Sequence, residues 1–357
     1  MLLHKNKKEE MIKGKLPLST LCLITTHKCT SSCPNCGFFC NPKLDVSMQV
    51  SDMIHYIEKS LQLFPTISCL VLTGGEVSCF KKNDICKVIA YARRLGISNV
   101  RIVSNGVWAK SVESAYAYLS DLKNSGLTEL NISTGDEHSI FVPLSNVLNA
   151  VKVAQELGIY STIALEKHKT NRITSQTIKD EFKIMFGAEF NCSISESSWI
   201  EMKNFRKKYT EEDFDDEIKI HGGCSSLFTG IQINPSGQLL ACCGFAAEFS
   251  EHLKLGHIDS YSSREQYEEN LYNLLTVWLY SEGPIGIVEH ILGKGIKESA
   301  NVHMCEHCLR LLMLPELPQI IKSVKLGKLK EIAFKYEANR IRQISCLNKQ
   351  LNKNYSI

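Results

Sequence analysis

Three cysteines at a CxxxCxxC spacing are the residues of this sequence best suited to hold a reactive metal group. Cys29, Cys33 and Cys36 lie in one short stretch, directly after an apolar segment. Three thiolates on one tight loop can hold three irons of a [4Fe-4S] cube and leave the fourth iron open for an outside ligand. Zinc is the competing interpretation, because these sulfurs together with His27 or Cys40 could make a tetrahedral site. The spacing by itself leaves both metals open.

A second group of residues is suited to binding a small molecule. Gly74, Gly75 and Glu76 follow the next apolar segment, CLVLT. Two glycines let backbone groups approach a ligand closely, and the carboxylate that follows can pair with an ammonium group. The triplet therefore indicates a receptor for a molecule shaped like an amino acid.

Small and polar residues also follow the third and fourth apolar segments. Ser104 and Asn105 end the third, and Ser133 ends the fourth, shortly before Asp136 and His138. Each of these turns alone is typical of an ordinary connection between a strand and a helix. Asp136 and His138 have two interpretations, a helix-capping pair or an acid and base in a pocket.

The elements that position these residues alternate between short apolar strands and amphipathic helices. The predicted strands are Leu21 to Thr26, Cys69 to Thr73, Asn99 to Val103, Glu129 to Ser133, Tyr160 to Leu165 and a weaker one, Glu189 to Ile194. The first helix is expected to begin behind Ser51, and Gly96, Gly126 and Gly158 are expected to end later helices. This alternation predicts an α/β fold with a parallel sheet, either open and doubly wound or a full or partial barrel. Chemistry is expected at the carboxyl ends of the strands.

In this order the motifs resemble the radical S-adenosylmethionine superfamily, and the resemblance covers about residues 18 to 195. It implies a partial (βα)6 barrel in which Cys29, Cys33 and Cys36 hold a [4Fe-4S] cluster whose open iron binds S-adenosylmethionine. It also implies that the methionine moiety is contacted by Gly74, Gly75 and Glu76. The residues that would lie near the ribose or the carboxylate are Ser104, Asn105 and Ser133. One electron from the cluster would cleave the sulfonium, and the 5′-deoxyadenosyl radical would take a hydrogen atom from the substrate.

Two positions depart from the family pattern. The residue before the third cysteine is usually aromatic and packs near the adenine, whereas here it is Asn35. The proline that commonly follows the glycine-glycine-glutamate triplet is replaced by Val77. Cys40 and Cys79 are close to the same sites in the sequence, and we interpret both as packing cysteines, because a fourth thiolate would close the iron that must stay open.

The second half of the chain contains another set of cysteines. A charged stretch, 201–220, is predicted to be a linker. Cys224 follows it, then two β-rich runs joined by a turn at 234–237, then Cys242 on the returning strand, and far downstream the pair Cys305 and Cys308. A structural zinc ribbon uses the same arrangement of two pairs and is the main alternative to an iron–sulfur site.

This spacing resembles the twitch domain, the short relative of the SPASM extension of radical S-adenosylmethionine enzymes. The resemblance assigns Cys224, Cys242, Cys305 and Cys308 as ligands of an auxiliary [4Fe-4S] cluster, which would make two clusters in the chain. The expected domains are an N-terminal extension (1–17), the radical S-adenosylmethionine barrel (18–200), the linker (201–220), a twitch-like domain of β-hairpin and helices (221–320) and a basic C-terminal helix (321–357).

Cys243 has two interpretations. Side chains alternate across a strand, so the neighbour of Cys242 should face the opposite way and present a free thiol to the pocket. The pair resembles that of radical peptide epimerases of the epipeptide type, in which a thiol beside the auxiliary cluster returns a hydrogen atom to a peptide Cα radical. The alternative is a small buried core residue.

Composition limits the class of protein. The 357 residues are 44% hydrophobic and 22% charged, with no apolar run long enough to span a bilayer and no secretory signal at the start. We therefore expect a cytoplasmic protein without disulfides, although it contains 15 cysteines. The net charge of +3 does not indicate nucleic acid as a partner. Basic residues cluster from Lys322 to the end, either as a solvated helix face or as a site for an acidic partner.

The sequence supports three hypotheses about function. The first is a radical S-adenosylmethionine enzyme that matures a ribosomally made peptide, with Cα epimerisation as the specific hypothesis and Cys243, His138 and Asp136 as candidate catalytic residues. The second is the same chemistry on a small molecule such as an aminocyclitol. The third is a non-catalytic zinc-binding interaction protein. The enzyme hypotheses imply a flavodoxin- or ferredoxin-type reductant as a further partner.

Overall fold

The computed structural model of this chain describes residues 18–167, 170–198, 214–215, 221–297 and 303–353. The predicted N-terminal extension, 1–17, lies outside the described residues. So does the predicted linker, 201–220, apart from residues 214 and 215.

Six parallel strands, paired in chain order, form the centre of the molecule. They are β1 (Thr20–Thr26), β2 (Cys69–Gly74), β3 (Asn99–Ser104), β4 (Glu129–Thr134), β5 (Tyr160–Lys167) and β6 (Ser193–Ser198). The predicted α/β fold with a parallel sheet is confirmed. The sixth strand is the one whose predicted bounds are wrong: pairing with β5, from Thr162 opposite Ser193 to Lys167 opposite Ser198, places it four residues later. Its serine-rich sequence carries little signal of its own, so the partner strand determines where it lies.

A helix follows each of the first five strands. These helices are α1 (Val50–Leu63), α2 (Lys82–Arg94), α3 (Val112–Asn124), α4 (Leu144–Glu156) and α5 (Ser175–Phe186). The predicted start of α1 at Ser51 is wrong by two positions, because the Asp52 carboxylate accepts the Gln49 backbone N–H and makes Gln49 the N-cap. As predicted, Gly96, Gly126 and Gly158 follow their helices with positive φ.

The two faces of the sheet differ in polarity. Leu23, Leu72 and Ile102 are fully buried on the face that packs against the helices. On the other face, Arg101 of β3 and Glu129 of β4 are neighbours in register and form an ion pair of 2.8 Å. Alternation along each strand thus gives an apolar outer face and a polar inner face.

Later strands extend the same sheet beyond β1. After β7 (Phe214–Asp215), the predicted hairpin is formed by β8 (Gly230–Ile233) and β9 (Gln238–Leu240), and β10 (Lys254–His257) pairs with β9. Strand β8 runs parallel to β1, so nine strands make one sheet in the order β10, β9, β8, β1 and onward to β6. The short β7 pairs instead with β11 (Gly295–Ile296).

The remaining helices cover the hairpin end of the sheet. They are α6 (Phe245–Phe249), α7 (Arg264–Leu271), α8 (Leu274–Leu292), α9 (Met304–Leu312), α10 (Leu317–Ser323) and α11 (Leu326–Lys353). Helix α8 is interrupted at Gly283, whose φ is 71° and which is followed by Pro284. Pro284 has no N–H to donate to the Tyr280 carbonyl four residues earlier, and the side-chain amide of Asn339 in α11 donates to that carbonyl at 3.3 Å.

The C-terminal helix is fixed to α8 by charged groups. Lys328 and Lys335 of α11 donate to the same oxygen of the buried Glu282, at 2.8 and 2.7 Å, and Trp278 donates to its other oxygen. Part of the basic charge near the C-terminus is therefore paired within the chain. Among the described residues, no helix has both the length and the apolar character needed to cross a membrane.

Candidate active site

The three cysteines of the CxxxCxxC motif lie on one loop at the carboxyl end of β1. All three line a cavity of about 430 Å³. The loop is closed by local bonds, since the Cys36 N–H donates to the Cys33 carbonyl and the Cys29 N–H donates to the Asn41 carbonyl. A cavity of this volume lies in the range of small-molecule sites, roughly 300 to 1,000 Å³.

The thiols of this loop differ in their electrostatic surroundings. Burial raises the pKa of Cys29 to about 11 and that of Cys33 to about 12. A hydrogen bond from the Cys40 thiol lowers the pKa of Cys36 to about 6, and the Cys40 backbone N–H lies 3.4 Å from the same sulfur. Cys40, interpreted from the sequence as a packing residue, is indeed buried, but it also donates to a neighbouring sulfur.

Gly74 and Gly75 hold the end of β2 against the segment that leads into the cysteine loop. The Gly75 N–H donates to the Thr26 carbonyl at 2.6 Å, and the Glu76 N–H donates to the Lys28 carbonyl at 2.9 Å. A Cβ on Gly75 would collide with the Lys28 carbonyl oxygen. Both glycines line the cavity, and their lack of side chains permits this close contact between two stretches of backbone.

Glu76 is fully buried beneath the cavity wall and ties two strand ends together. Its carboxylate accepts the Ser78 N–H at 2.9 Å, the Ser104 hydroxyl at 2.8 Å and the Asn105 N–H at 2.7 Å. Burial raises the pKa of Glu76, and these hydrogen bonds oppose that shift. The sequence predicts an ammonium group beside this carboxylate, whereas in the structure these three donors of the chain surround it.

Ser104, Asn105 and Ser133 all line the same cavity. The Asn105 side-chain amide donates to the Thr30 hydroxyl at 3.0 Å and lies 3.8 Å from the Cys29 sulfur. Asn105 therefore connects the end of β3 to the cysteine loop. Ser133 is only partly buried at the end of β4.

His138 and Asp136 differ in their positions. His138 lines the cavity, and its Nδ1 lies 3.6 Å from Oε2 of Glu166, a fully buried residue of β5. The two carboxylate oxygens of Asp136 accept the backbone N–H groups of Arg172 and Ile173, both at 2.9 Å. Asp136 thus anchors the turn before α5. Sequence reasoning missed Glu166, although it is a polar residue at the carboxyl end of an apolar strand, which is the pattern that identified the others.

The second set of cysteines lines a separate cavity of about 230 Å³. Cys224, Cys242, Cys305 and Cys308 all contribute to its wall. A Cβ placed on Gly244 would lie 2.8 Å from the Cys305 sulfur and 3.6 Å from the Cys242 sulfur, so a side chain there would fill the space between them. The prediction that Cys242 lies on the returning strand is wrong, because that strand ends at Leu240 and Cys242 follows in the turn beyond it.

Burial and mutual repulsion act together on these four thiols. Burial raises the pKa of Cys305 to about 12, and it also raises the pKa values of Cys224, Cys242 and Cys308. The neighbouring sulfurs raise them further, because adjacent thiolates repel one another. Cationic iron relieves that repulsion, so the donor set fits a cluster with four thiolate ligands. Among the described residues, no three His, Cys, Asp or Glu side chains meet the spacing of a single metal ion.

Cys243 faces the larger cavity rather than the smaller one. It is exposed, and it shares the wall of the larger cavity with Cys29, Cys33 and Cys36. Gly244, His303 and Cys305 line both cavities and form the partition between them. The His303 ring accepts the Cys305 N–H at 3.1 Å, which fixes this partition.

The polar inner face of the sheet carries unsatisfied groups. Arg101 Nε, Asn131 Oδ1 and Gln232 Oε1 are buried, and each lacks a hydrogen-bond partner among the described residues. Arg101 and Asn131 lie two residues before Val103 and Ser133, which line the larger cavity from the same face. A donor and two acceptors are thus available on this face of the sheet.

No protein-family model matches the sequence. The chain is 24% identical over 270 residues to YydG of Bacillus subtilis (strain 168), whose name assigns it to peptide biosynthesis; the match covers 74% of this chain and 81% of YydG. The solved structures that are similar include the following two. Native anSMEcpe with bound AdoMet has 13% identity and a TM-score of 0.47, covering 86% of this chain and 100% of that one. Streptococcus suis SuiB bound to the precursor peptide SuiA has 13% identity and a TM-score of 0.45, and the match covers 76% of this chain and 70% of that one.

The motif residues quoted from the sequence come together in space. The cysteine loop, the glycine pair and the ends of β3 and β4 surround one cavity at the carboxyl edge of a parallel sheet. These are the motifs that carry the predicted resemblance to the radical S-adenosylmethionine superfamily, and the structure brings them together at one site.

Proposed function

We propose that this chain is a radical S-adenosylmethionine enzyme that modifies a peptide by inverting the configuration of a Cα atom. The observation that carries the proposal is the position of Cys243, an exposed thiol in the wall of the same cavity as the CxxxCxxC loop. A hydrogen-atom donor has to reach the substrate from a different direction than the group that removes the hydrogen atom. Cys243 follows β9, whereas the loop follows β1.

Cys29, Cys33 and Cys36 would hold the first cluster, and Gly74 and Gly75 would present their backbone to S-adenosylmethionine. When bound, these two groups supply a strong acceptor for a substrate hydrogen atom. The chain's own part is to exclude competing donors. The chain also orients the glycine pair, because the Glu76 carboxylate beneath it joins the ends of β2 and β3.

Cys224, Cys242, Cys305 and Cys308 would hold a second cluster with no open position. The proposal is supported by the convergence of these thiols on one cavity. It is also supported by the repulsion between their thiolate forms, which a bound cluster would relieve. Four protein ligands favour electron transfer or a structural role over direct binding of substrate.

The Cys243 thiol would return a hydrogen atom to the substrate. In this step the S–H bond breaks, a C–H bond forms on the opposite face of the planar Cα radical, and an unpaired electron remains on the sulfur. A one-electron reductant, of the flavodoxin or ferredoxin class, and one proton from solvent would then regenerate the thiol. The peptide changes its configuration without a change in mass.

His138 is the residue of the cavity best placed to move that proton. It lines the cavity, and its Nδ1 lies 3.6 Å from the carboxylate of the buried Glu166. Asp136, the other candidate from the sequence, is less suited, because both of its oxygens already accept backbone N–H groups. We therefore assign a proton-transfer role to His138 alone.

Two further observations favour a peptide as the substrate. The curated relative YydG is named for peptide biosynthesis. The inner face of the sheet offers an unsatisfied donor, Arg101 Nε, and unsatisfied acceptors on Asn131 and Gln232, which complement the C=O and N–H groups of a peptide backbone.

The test is anaerobic turnover with S-adenosylmethionine, dithionite and synthetic peptides that cover the short reading frames encoded beside the gene. The expected result is formation of 5′-deoxyadenosine together with a peptide of unchanged mass that contains a D-residue. Loss of two hydrogens from a peptide or an aminocyclitol would contradict epimerisation and indicate dehydrogenation. Absence of 5′-deoxyadenosine would contradict the enzyme assignment altogether.

A further inference from the structure

Strand β6 forms one free edge of the nine-stranded sheet, and this edge leads to the larger cavity. One side of β6 pairs with β5, and among the described residues no strand pairs with its other side. Ser197, near the carboxyl end of β6, lines the larger cavity together with Cys243 and the CxxxCxxC loop. An open strand edge therefore ends at the wall of the candidate active site.

The backbone groups of β6 that point to the free edge follow from its two faces. Ser197 lies on the inner face, since it lines the cavity, and Glu196 lies on the outer face, where the Ser175 hydroxyl of α5 donates to its carboxylate. In a sheet of L-residues with right-handed crossovers, inner-facing residues point their N–H and C=O groups at the preceding strand. Outer-facing residues point these groups the other way. The N–H and C=O groups of Ile194 and Glu196 therefore point to the free edge.

The opposite edge of the sheet, formed by β10, is less open to pairing. A register shift between Lys254 and Gly256 interrupts its ladder with β9, and Lys254 forms an ion pair with Glu251. Bulges and lysines are means by which edge strands avoid pairing with another chain. Strand β6 pairs with β5 without a shift, and Lys167 holds its charged side chain, Glu196, at 3.1 Å. The other side chains of β6 are an isoleucine and short serines, which leave the backbone accessible.

The spacing of these backbone groups restricts what can bind to them. Outward-pointing N–H and C=O groups recur every second residue, about 7 Å apart along the strand. An extended peptide backbone presents donors and acceptors with the same repeat, and peptides bind to open sheet edges in this way.

We propose that the peptide substrate binds as an added strand on the free edge of β6, and that this pairing leads the residue to be modified past Ser197 into the larger cavity. The inference rests on the proposed function, since it requires a peptide substrate. Main-chain hydrogen bonds would hold the peptide whatever its side chains are. Selection of the modified residue would then depend on its distance along the peptide from the paired segment.

The first experiment maps the peptide. The probe is the peptide of the neighbouring reading frames that the enzyme turns over, prepared as a series with one N-methyl group at each successive residue. Binding of each to the reconstituted protein with S-adenosylmethionine is measured without reductant. Every second N–H of an added strand faces β6, so N-methylation should weaken binding about 10-fold or more at alternate positions and little at the positions between them.

The second experiment changes the edge itself. Glu196→Pro removes an outward N–H without removing a bond to β5, a place where edge strands tolerate proline. It should weaken binding of the unmethylated peptide about 10-fold. Lys167→Gln is the matched control, because it breaks the same ion pair and keeps every N–H of β6. Thermal unfolding of both variants accompanies the titrations.

Amide hydrogen exchange of the unmodified chain provides a measurement that does not depend on a variant. Bound peptide should slow exchange at Ile194 and Glu196, whereas Ser195, which already donates to β5, should change little.

Two results would overturn the inference, and they are distinguishable. A peptide that is turned over but shows no alternation on N-methylation, and leaves exchange at Ile194 and Glu196 unchanged, would overturn the added strand and leave the proposed function in place. Failure of every peptide to bind or to be modified would overturn both.

Discussion

Cys242 and Cys243 are consecutive in the chain, yet their side chains line different cavities. Cys242 is buried in the wall of the smaller cavity together with three other cysteines. Cys243 is exposed in the wall of the larger cavity, which the CxxxCxxC loop also lines. One turn of backbone after β9 therefore connects the two groups of thiols, and Gly244 continues the partition. This arrangement allows one thiol to bind metal while its neighbour stays free.

The first prediction concerns metal content. The anaerobically reconstituted chain should contain about eight irons, and the Cys305→Ala/Cys308→Ala double variant about four, if each set of cysteines holds one cube. Iron, sulfide and zinc analysis measures this, with Cys86→Ala as a control for the loss of a cysteine away from both cavities. About four irons with about one zinc in the unmodified chain would assign the second set of cysteines to zinc.

The second prediction concerns the close contact at Gly75. Gly75→Ala should destabilise the loop by several kcal/mol, because the new Cβ would collide with the Lys28 carbonyl, a backbone atom that cannot move alone. We expect a lower unfolding temperature and loss of iron from the first site. Gly222→Ala is the matched control, since a Cβ there meets no atom within 4 Å. Equal stability of the two variants would contradict the packing described here.

The third prediction concerns the Cys40 thiol beside Cys36. Hydrogen bonds to cluster sulfurs stabilise the more negative, reduced state, so Cys40→Ala should lower the midpoint potential of the first cluster. A hydrogen bond worth about 1 kcal/mol corresponds to about 40 mV for a one-electron couple. Cys40→Ser, which keeps a donor, should shift the potential less. Redox titration followed by electron paramagnetic resonance measures both, and equal potentials in all three proteins would exclude this hydrogen bond.

The fourth prediction concerns pH and the C-terminal helix. A hydrogen bond from Lys335 lowers the pKa of Glu331 to about 2 from its ordinary 4.5, and bonds from Lys328 and Lys335 lower the pKa of Glu282 against the opposing effect of burial. Both folded-state pKa values lie below the unfolded ones. The stabilisation is therefore present above about pH 4.5 and is lost as the pH falls towards 2.

Hydrogen exchange of α11 measures this effect. Exchange should speed up between pH 4.5 and pH 2 after correction for the intrinsic rate, and Glu282→Gln should reduce the protection at pH 7. Glu337→Gln, on the same helix and paired with Arg340 rather than with α8, serves as the control. Protection of α11 that does not change with pH would contradict the role assigned to these ion pairs.

Much of the six-stranded parallel part of the sheet could be predicted from the sequence because its signals are local. Runs such as CLVLT and the glycines that end the helices fix the first five strands to within one or two residues. The cysteine loop and the Gly74-Gly75 pair were found because each follows a strand. Neighbouring carboxyl ends of parallel strands meet at one edge, so residues far apart in sequence could be assigned to one site.

The parts that could not be predicted depend on contacts between distant segments. The pairing of β8 with β1 makes the hairpin a continuation of the parallel sheet, and no local pattern in GIQI indicates that partner. The Glu76 carboxylate points to Ser104 and Asn105 because β2 and β3 are adjacent in three dimensions. The start of β6 is likewise determined by its pairing with β5 rather than by its own residues.

The final prediction tests the central role of Cys243. With a peptide that is turned over in D2O, the unmodified chain should place one deuterium at the Cα of each inverted residue, because the Cys243 thiol exchanges with solvent. Cys243→Ala should still form 5′-deoxyadenosine but give no inverted, deuterated residue, whereas Cys86→Ala should behave like the unmodified chain. Mass spectrometry and chiral amino-acid analysis of the product measure both. Deuterium and inversion in Cys243→Ala at the level of the unmodified chain would contradict the account.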